Sequence, residues 1–184
     1  MAKSLEGKKI AFLVANEGIE QDELTKPWKA VEEAGGEPVL VAPESGTVQA
    51  FNHLDKADTF DVDVTAADAK ASDYAGVVLP GGVANPDALR IDDDAMGFLK
   101  AALDAKLPIA AICHAPWTLV EADAVTGKRI TSWPSLETDL RNAGADWVDE
   151  EVVVCGTGGW TLVSSRKPDD LPAFNAAAVE AFSA

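Results

Sequence analysis

The chain has 184 residues, with 15 Lys+Arg against 31 Asp+Glu, a formal net charge of −16 at pH 7 and a sequence pI near 4.3. That length fits one domain spanning 1–184 with a substantial core, and 47% hydrophobic residues at a mean hydropathy of +0.01 describe a globular chain, not a disordered one. The acidic balance and the lack of a Lys/Arg cluster exclude nucleic acid and anionic membrane surfaces as main partners, since both need cationic neutralisation.

Two cysteines, Cys113 and Cys155, cannot make a disulfide framework, so a reducing compartment is expected. The stretch Met1–Gly7 is polar, and the apolar run Ile10–Ala15 after it is too short for a signal-peptide core. No segment approaches the roughly 20 apolar residues of a membrane span. The expected location is the cytoplasm.

In chain order, Lys9–Ala15 predicts a strand buried on both faces, because it does not alternate with polar residues. Glu20–Ala34 predicts a helix with Leu24, Trp28 and Val31 on one stripe, bent or delayed by Pro27. Gly35–Gly36 ends it, and Pro38–Ala42 predicts the next strand. Thr47–Val64 mixes polar and β-branched residues, as in a small hairpin or an irregular excursion. Gly76–Leu79 predicts a buried strand that stops at Pro80–Gly81–Gly82.

Asp92–Asp94 offer caps to a helix with Ala95, Phe98, Leu99 and Ala102 on one face. Leu107–Ile112 predicts another buried strand, followed by a helical Ala115–Ala122. Arg129–Thr131 predicts a short strand, and Leu136, Leu140 and Ala143 mark a helix before Gly144. Val152–Val154 and Trp160–Ser164 predict a late strand pair. A terminal helix begins near Pro168, with Asp169 and Asp170 in its first turn, where the helix dipole favours them.

Strands alternating with helices at this spacing specify an α/β fold, with a mostly parallel sheet and helices on both faces. Chemistry in such folds gathers at the carboxyl ends of strands. Three turns qualify: those after Ala15, after Leu79 and after Ile112.

Cys113 sits on the last of these turns, between an apolar strand and a helix. That setting pushes a side chain outward and gathers backbone N–H groups and a helix N-terminus around it, which favours a thiolate. The alternative is an inert buried thiol, but the immediate neighbour His114 favours a functional reading. His114 is a candidate general base or cation, though adjacent residues on a tight turn often point apart. His53, in the irregular middle, reads as a surface residue. Two scattered histidines and two scattered cysteines give no metal-ligand spacing, so no metal is expected.

Gly81 and Gly82 offer unobstructed N–H groups for an oxyanion opposite Cys113, or simply make a sharp turn. Neither they nor Gly156–Thr157–Gly158–Gly159 form a dinucleotide or phosphate-loop fingerprint, and no cofactor is expected. Glu17 and Glu20 follow the first strand. A carboxyl there would share a proton with a nearby thiol, or would merely stabilise a helix N-terminus.

Five segments carry a resemblance over roughly Lys8–Phe182: ANEGIEQDEL (Ala15–Leu24), VVLPGG (Val77–Gly82), AICHAPW (Ala111–Trp117), TSWPSLETDLRNAGADWVDEEVVV (Thr131–Val154) and SSRKPDDLPAF (Ser164–Phe174). The chain resembles the PfpI family, in the ThiJ/PfpI branch of the class I glutamine amidotransferase-like superfamily. The resemblance implies a flavodoxin-like three-layer sandwich with a reactive cysteine on a nucleophile elbow, matched by Cys113, and a neighbouring histidine, matched by His114. It implies a carboxylate hydrogen-bonded to the cysteine, matched by Glu20 in G-I-E-Q. It also implies a third acid delivered across a subunit interface, matched by Asp87 in N-P-D only with a one-residue insertion and a Glu-to-Asp change.

Cys155 with Gly156–Trp160 departs from the shorter turn of the family. The late histidine of true glutamine amidotransferases has no counterpart after His114, which argues against that activity. The resemblance implies a homodimer or larger homo-oligomer and three functions in descending order. The first is a stress-response enzyme acting on reactive dicarbonyls or early glycation adducts. In that reaction Cys113 adds to the carbonyl, Glu20 shuttles the proton, and the N–H groups of Gly82 and His114 hold the oxyanion. The second is a sensor or chaperone working through oxidation of Cys113. The third is an oligomeric peptidase using Cys113, His114 and a neighbouring Asp87 on peptide substrates.

Overall fold

The structure is a computed structural model that describes residues 4–184, so the first three residues of the polar stretch Met1–Gly7 lie outside the described residues. The elements in order are β1 (Lys9–Leu13), β2 (Glu17–Glu20), α1 (Gln21–Glu33), β3 (Glu37–Ala42), β4 (Thr47–Asn52), β5 (Asp55–Asp61), β6 (Val64–Thr65), β7 (Gly76–Leu79) and α2 (Ala84–Leu89). They continue as α3 (Asp93–Asp104), β8 (Ile109–Ile112), α4 (Pro116–Glu121), β9 (Arg129–Ile130), α5 (Glu137–Asn142), β10 (Asp146–Trp147), β11 (Val152–Cys155), β12 (Leu162–Ser165) and α6 (Leu171–Ser183).

A seven-stranded sheet in the order β11-β12-β8-β7-β1-β3-β6 forms the middle layer, and only β11 runs antiparallel to its neighbour. The unbroken apolar runs seen in the sequence follow from burial of that sheet on both faces. Along β1, Ala11 and Leu13 pack toward α3, α4 and α5, whereas Ile10 and Phe12 pack toward α1 and α6. This period of two divides each central strand between two cores. The result is the expected three-layer α/β sandwich.

Several elements differ in detail from the sequence reading. Pro27 does not delay α1, which begins ahead of it at Gln21, and its ring is buried against the sheet. The predicted helix start at Glu20 is instead the last residue of β2, which pairs with β4. The middle segment does form a hairpin, β4–β5, and with β2 it makes a separate three-stranded sheet. Arg129–Ile130 pairs with β10 in a small sheet of its own rather than joining the large one. Asp92 caps α3, its carboxylate accepting the Ala95 N–H at 2.8 Å. Among the described residues, no helix is long and apolar enough to cross a membrane.

Candidate active site

Because β1, β7 and β8 run parallel, their carboxyl ends meet at one edge of the sheet, and a cavity of about 390 Å³ opens there. Cys113 stands in it directly after β8. Its φ of +64° is a left-handed conformation that non-glycine residues rarely hold. Two long-range hydrogen bonds keep it there: the Cys113 N–H donates to Ser165 O at 3.1 Å, and its carbonyl accepts the Trp133 N–H at 2.9 Å. The expected elbow is present, with the thiol almost buried at 6% exposure.

The carboxyl group against this thiol belongs to Glu23, not to Glu20. Glu23 lies on the inner stripe of α1 with Pro27 and Val31, one and two i+4 steps on, which turns it toward the sheet. It is 0% exposed. Its Oε2 accepts the Gly81 N–H at 2.8 Å, while Oε1 has no hydrogen-bond partner. Burial, aided by the charge of Glu20, pushes its pKa from 4.5 to about 8. The side chain therefore holds its proton through most of the neutral range.

Glu20 also lines the cavity but faces the hairpin. Its Oε2 accepts the His53 N–H at 3.0 Å and lies 3.9 Å from His53 Nδ1. The correction follows from position: Glu20 ends β2 and points along the sheet edge, whereas Glu23 is inside the first turn of α1. Both acids stand near the start of one helix, so their separation in sequence does not reveal which faces the sulfur. An acid on the buried stripe of an amphipathic helix is the signal that identifies Glu23. Glu17 is exposed on β2.

The His114 ring does turn toward the sulfur, with Nδ1 3.1 Å from Cys113 Sγ. It is held by a stacked contact with Trp133 (centroids 5.8 Å apart, 21° between planes) and an edge contact with Trp117 at 5.3 Å. Burial lowers its pKa from 6.5 to about 4, so the ring is neutral at pH 7. Nδ1 accepts the S–H or donates to a thiolate, according to the tautomer. The Cys113 thiol is itself pushed up, first by burial and then by the Glu23 charge, with the N–H groups of Gly82 and His114 acting in the opposite direction. Thiol and carboxyl therefore resist ionising together and titrate as a pair.

Gly81 and Gly82 play different parts. The Gly81 N–H is occupied by Glu23, so it is not the free oxyanion donor expected from sequence. A Cβ on Gly81 would collide with Glu23 Oε2 and come within 2.6 Å of Cys113 Cβ, so the absence of a side chain lets acid and thiol meet. Gly82, at φ +86°, directs its N–H to the sulfur. Asn85, which sequence reasoning missed, pins this turn: its buried amide donates to Pro80 O at 2.9 Å and Gly81 O at 3.1 Å and accepts the Ala15 N–H at 2.7 Å.

Asp87 is exposed on α2, outside the cavity wall, so within one chain it does not join Cys113 and His114. His53 is 88% exposed at the cavity mouth, as its surface reading predicts, with Leu54 beside it. Among the described residues, no three of His, Cys, Asp and Glu converge closely enough to hold a metal.

A parallel α/β sandwich with a strained cysteine elbow and an acid from the first helix defines a class of cysteine-centred proteins. Comparison with known proteins agrees. Residues 8–181 match the DJ-1/PfpI family. General stress protein 18 of Bacillus subtilis is 45% identical over 172 residues, covering 92% of this chain and 94% of that protein. The B. subtilis protein named "Putative cysteine protease YraA" is 44% identical (91% and 94% covered), and deglycase PH1704 of Pyrococcus horikoshii is 37% identical (90% and 94%). DJ-1beta of Drosophila melanogaster superposes with a TM-score of 0.81 at 28% identity, over 96% of this chain and 91% of that one. The chain belongs to the DJ-1/PfpI family, and its sandwich is the flavodoxin-like fold of that family.

Proposed function

We propose that this chain is a cytoplasmic stress protein whose Cys113 acts on small reactive dicarbonyls, free or as early glycation adducts, with Glu23 as the proton carrier. The observation that carries this reading is the buried Glu23 carboxyl, pushed to about 8, beside a thiol that is also held protonated. A peptidase thiol needs a base that ionises it ahead of attack. A neutral His114 at about 4 is a weak base for that purpose. An acid near its own titration point is suited to repeated proton transfer.

The steps balance for an α-oxoaldehyde. In the fraction of molecules in which Glu23 is ionised, its carboxylate takes the S–H proton as sulfur bonds to the aldehyde carbon, then returns it to the new oxyanion, giving a hemithioacetal. The carboxylate next removes the C–H proton from that carbon, the hydroxyl proton there passes to the neighbouring oxygen through an enediol, and Glu23 delivers its proton to the adjacent carbon, leaving a thioester on Cys113. Water hydrolyses the thioester to a 2-hydroxy acid and restores the thiol. The N–H groups of Gly82 and His114 stabilise charge on sulfur and on the neighbouring oxygen. The relative named as a deglycase supports the substrate class, and the relative named as a general stress protein supports the setting.

The test is methylglyoxal consumption with lactate detection, comparing wild type, Cys113→Ser and Glu23→Gln. Lactate that depends on both residues supports the reading, and equal traces from all three proteins exclude it. A second reading, oxidation sensing at Cys113, is favoured by the partnerless Glu23 Oε1, a group available to an oxygen added to sulfur. Intact mass after mild peroxide distinguishes it: oxygen addition at Cys113 without dicarbonyl turnover selects the sensor. A homodimer is part of the same proposal, and sedimentation measures it.

A further inference from the structure

The apolar surface that the fold leaves uncovered is unevenly placed. Among the described residues, the large hydrophobics left exposed are Leu54, Val83, Ile91, Trp133 and Val154, and three of these, Leu54, Val83 and Trp133, line the Cys113 cavity. They come from three separate parts of the chain: the tip of the β4–β5 hairpin, the turn after β7 and the loop after β9. Phe51 and Pro168 extend the same wall. Exposed apolar groups that converge from distant segments on one concavity mark a binding surface.

This rim is held in place by hydrogen bonds. Leu54 sits in the two-residue turn between Asn52 and Asp55, next to His53 at φ +59°. The Glu20 carboxylate accepts the His53 N–H at 3.0 Å. Farther along the hairpin, Gln21 Nε2 donates to Asp58 Oδ2 at 2.9 Å and Gln21 Oε1 accepts the Asp58 N–H at 2.8 Å. Trp133 is pinned on both sides of its backbone, its N–H donating to Cys113 O and its carbonyl accepting the Ser132 hydroxyl at 2.9 Å. Leu54 is thus kept 93% exposed on a preformed scaffold, and its hydrophobic free energy is released when an apolar group fills the cavity.

Charge and size narrow the ligand further. The wall carries two carboxyls, Glu20 and Glu23, and no Lys or Arg, so an anionic substituent would enter without a partner. The cavity volume of about 390 Å³ lies in the range of roughly 300–1,000 Å³ that encloses drug-sized ligands, far beyond what a three-carbon dicarbonyl fills. Cys113, His114 and Gly82 serve the carbonyl end, which leaves Leu54, Val83 and Trp133 for the rest of the molecule.

We propose that the Cys113 cavity contains an apolar subsite for an uncharged hydrocarbon group, with Leu54, Val83 and Trp133 as its specificity-determining residues, so that branched-alkyl α-oxoaldehydes are its preferred dicarbonyls. The head of that substrate rests on the dicarbonyl reading above, whereas the tail rests on the wall alone. The aldehyde carbon meets the sulfur beside the N–H groups of Gly82 and His114, and the alkyl group covers the rim. Trp133 serves both ends, since its ring also stacks on His114. Each carbon buried there strengthens capture about fourfold, while a carboxylate in the same place gives up its water facing Glu20.

Two measurements on the full chain separate tail from head. Alkylation of Cys113, followed by peptide mass, compares chloroacetamide with N-isobutylchloroacetamide and with chloroacetylglycine, which share one reacting carbon. In parallel, kcat/KM compares methylglyoxal with isobutylglyoxal. After division by the rates with free cysteine, the isobutyl compound should be favoured about tenfold or more in both, and chloroacetylglycine should react about fivefold slower than chloroacetamide. Leu54→Ser, at an exposed position outside the core, and Val83→Ser should each cut both preferences about threefold. Isobutyl preference in alkylation without dicarbonyl turnover supports the subsite and removes the dicarbonyl reading. No isobutyl preference in alkylation, none in turnover where turnover occurs, or one that neither substitution lowers overturns the proposal and leaves that reading standing. Sedimentation of the same variants tests the other occupant: loss of a larger assembly with both preferences unchanged assigns the rim to a second copy of the chain and also overturns the proposal.

Discussion

The two thiols are buried almost equally, at 6% and 8% exposure, yet their surroundings drive them in opposite directions. At the carboxyl edge, Cys113 meets a buried acid and a neutral imidazole, so its proton is retained until a reaction partner arrives. At the far edge, Cys155 meets a buried ammonium and hydrogen-bond donors. At Cys113 burial is the larger cause of the rise, with the Glu23 charge added to it, whereas at Cys155 hydrogen bonds from Thr157 and Arg129, with the Lys128 charge, outweigh burial. Backbone strain follows the same division. The left-handed residue is Cys113, whereas Cys155 lies in a regular strand.

The largest expected effect breaks the carboxyl edge at its acid. Glu23→Gln keeps the shape but cannot carry a proton, and dicarbonyl turnover should fall by about 100-fold or more. Alkylation of Cys155 should not change, which would keep the two edges independent. Gly81→Ala tests the same contact sterically. Its Cβ displaces the carboxyl from the thiol, so turnover should fall by about tenfold or more at a cost of about 1–3 kcal/mol in stability. Activity and urea unfolding measure the two together.

The pH dependence of stability sharpens the comparison further. Glu23 is raised from 4.5 to about 8, so between those values the folded protein holds a proton that the unfolded chain releases. Its contribution is complete below about pH 4.5 and is lost as pH rises toward 8. His114 is lowered from 6.5 to about 4, so its contribution is complete above about 6.5 and is lost as pH falls toward 4. Glu23→Gln should therefore gain on wild type by a few kcal/mol between pH 5 and pH 8.5 in urea titrations. His114→Gln should flatten the acid side alone.

Much of the frame was legible in the sequence because it rests on burial. Unbroken runs such as Lys9–Leu13 and Gly76–Leu79 can only be central strands, and Cys113 directly after one of them falls at the carboxyl edge whatever else the chain does. The residues that tune the site were harder to read. Glu17–Glu20 carries no strand signal of its own, since it becomes a strand by pairing with β4. Glu23 is one of several acids around the start of α1, and only the docking of that helix on the sheet singles it out by burying it. Asn85 depends on three backbone partners that no spacing reveals, and Lys128 reads as an ordinary surface lysine.

The smallest expected effect separates the two acids. Glu20 touches the hairpin backbone rather than the sulfur, and its charge is among the causes that hold the Glu23 pKa high. Glu20→Gln should therefore keep maximal dicarbonyl turnover within about threefold, unlike Glu23→Gln. Removing its charge should let Glu23 ionise at lower pH, so the acid limb of the kcat/KM profile should move to lower pH. A profile that stays in place would mean that Glu23 is insulated from the cavity mouth. A loss of turnover as large as that of Glu23→Gln would instead return the proton-carrying role to Glu20, the residue matched by resemblance, and would require the two carboxyls to exchange places as substrate enters.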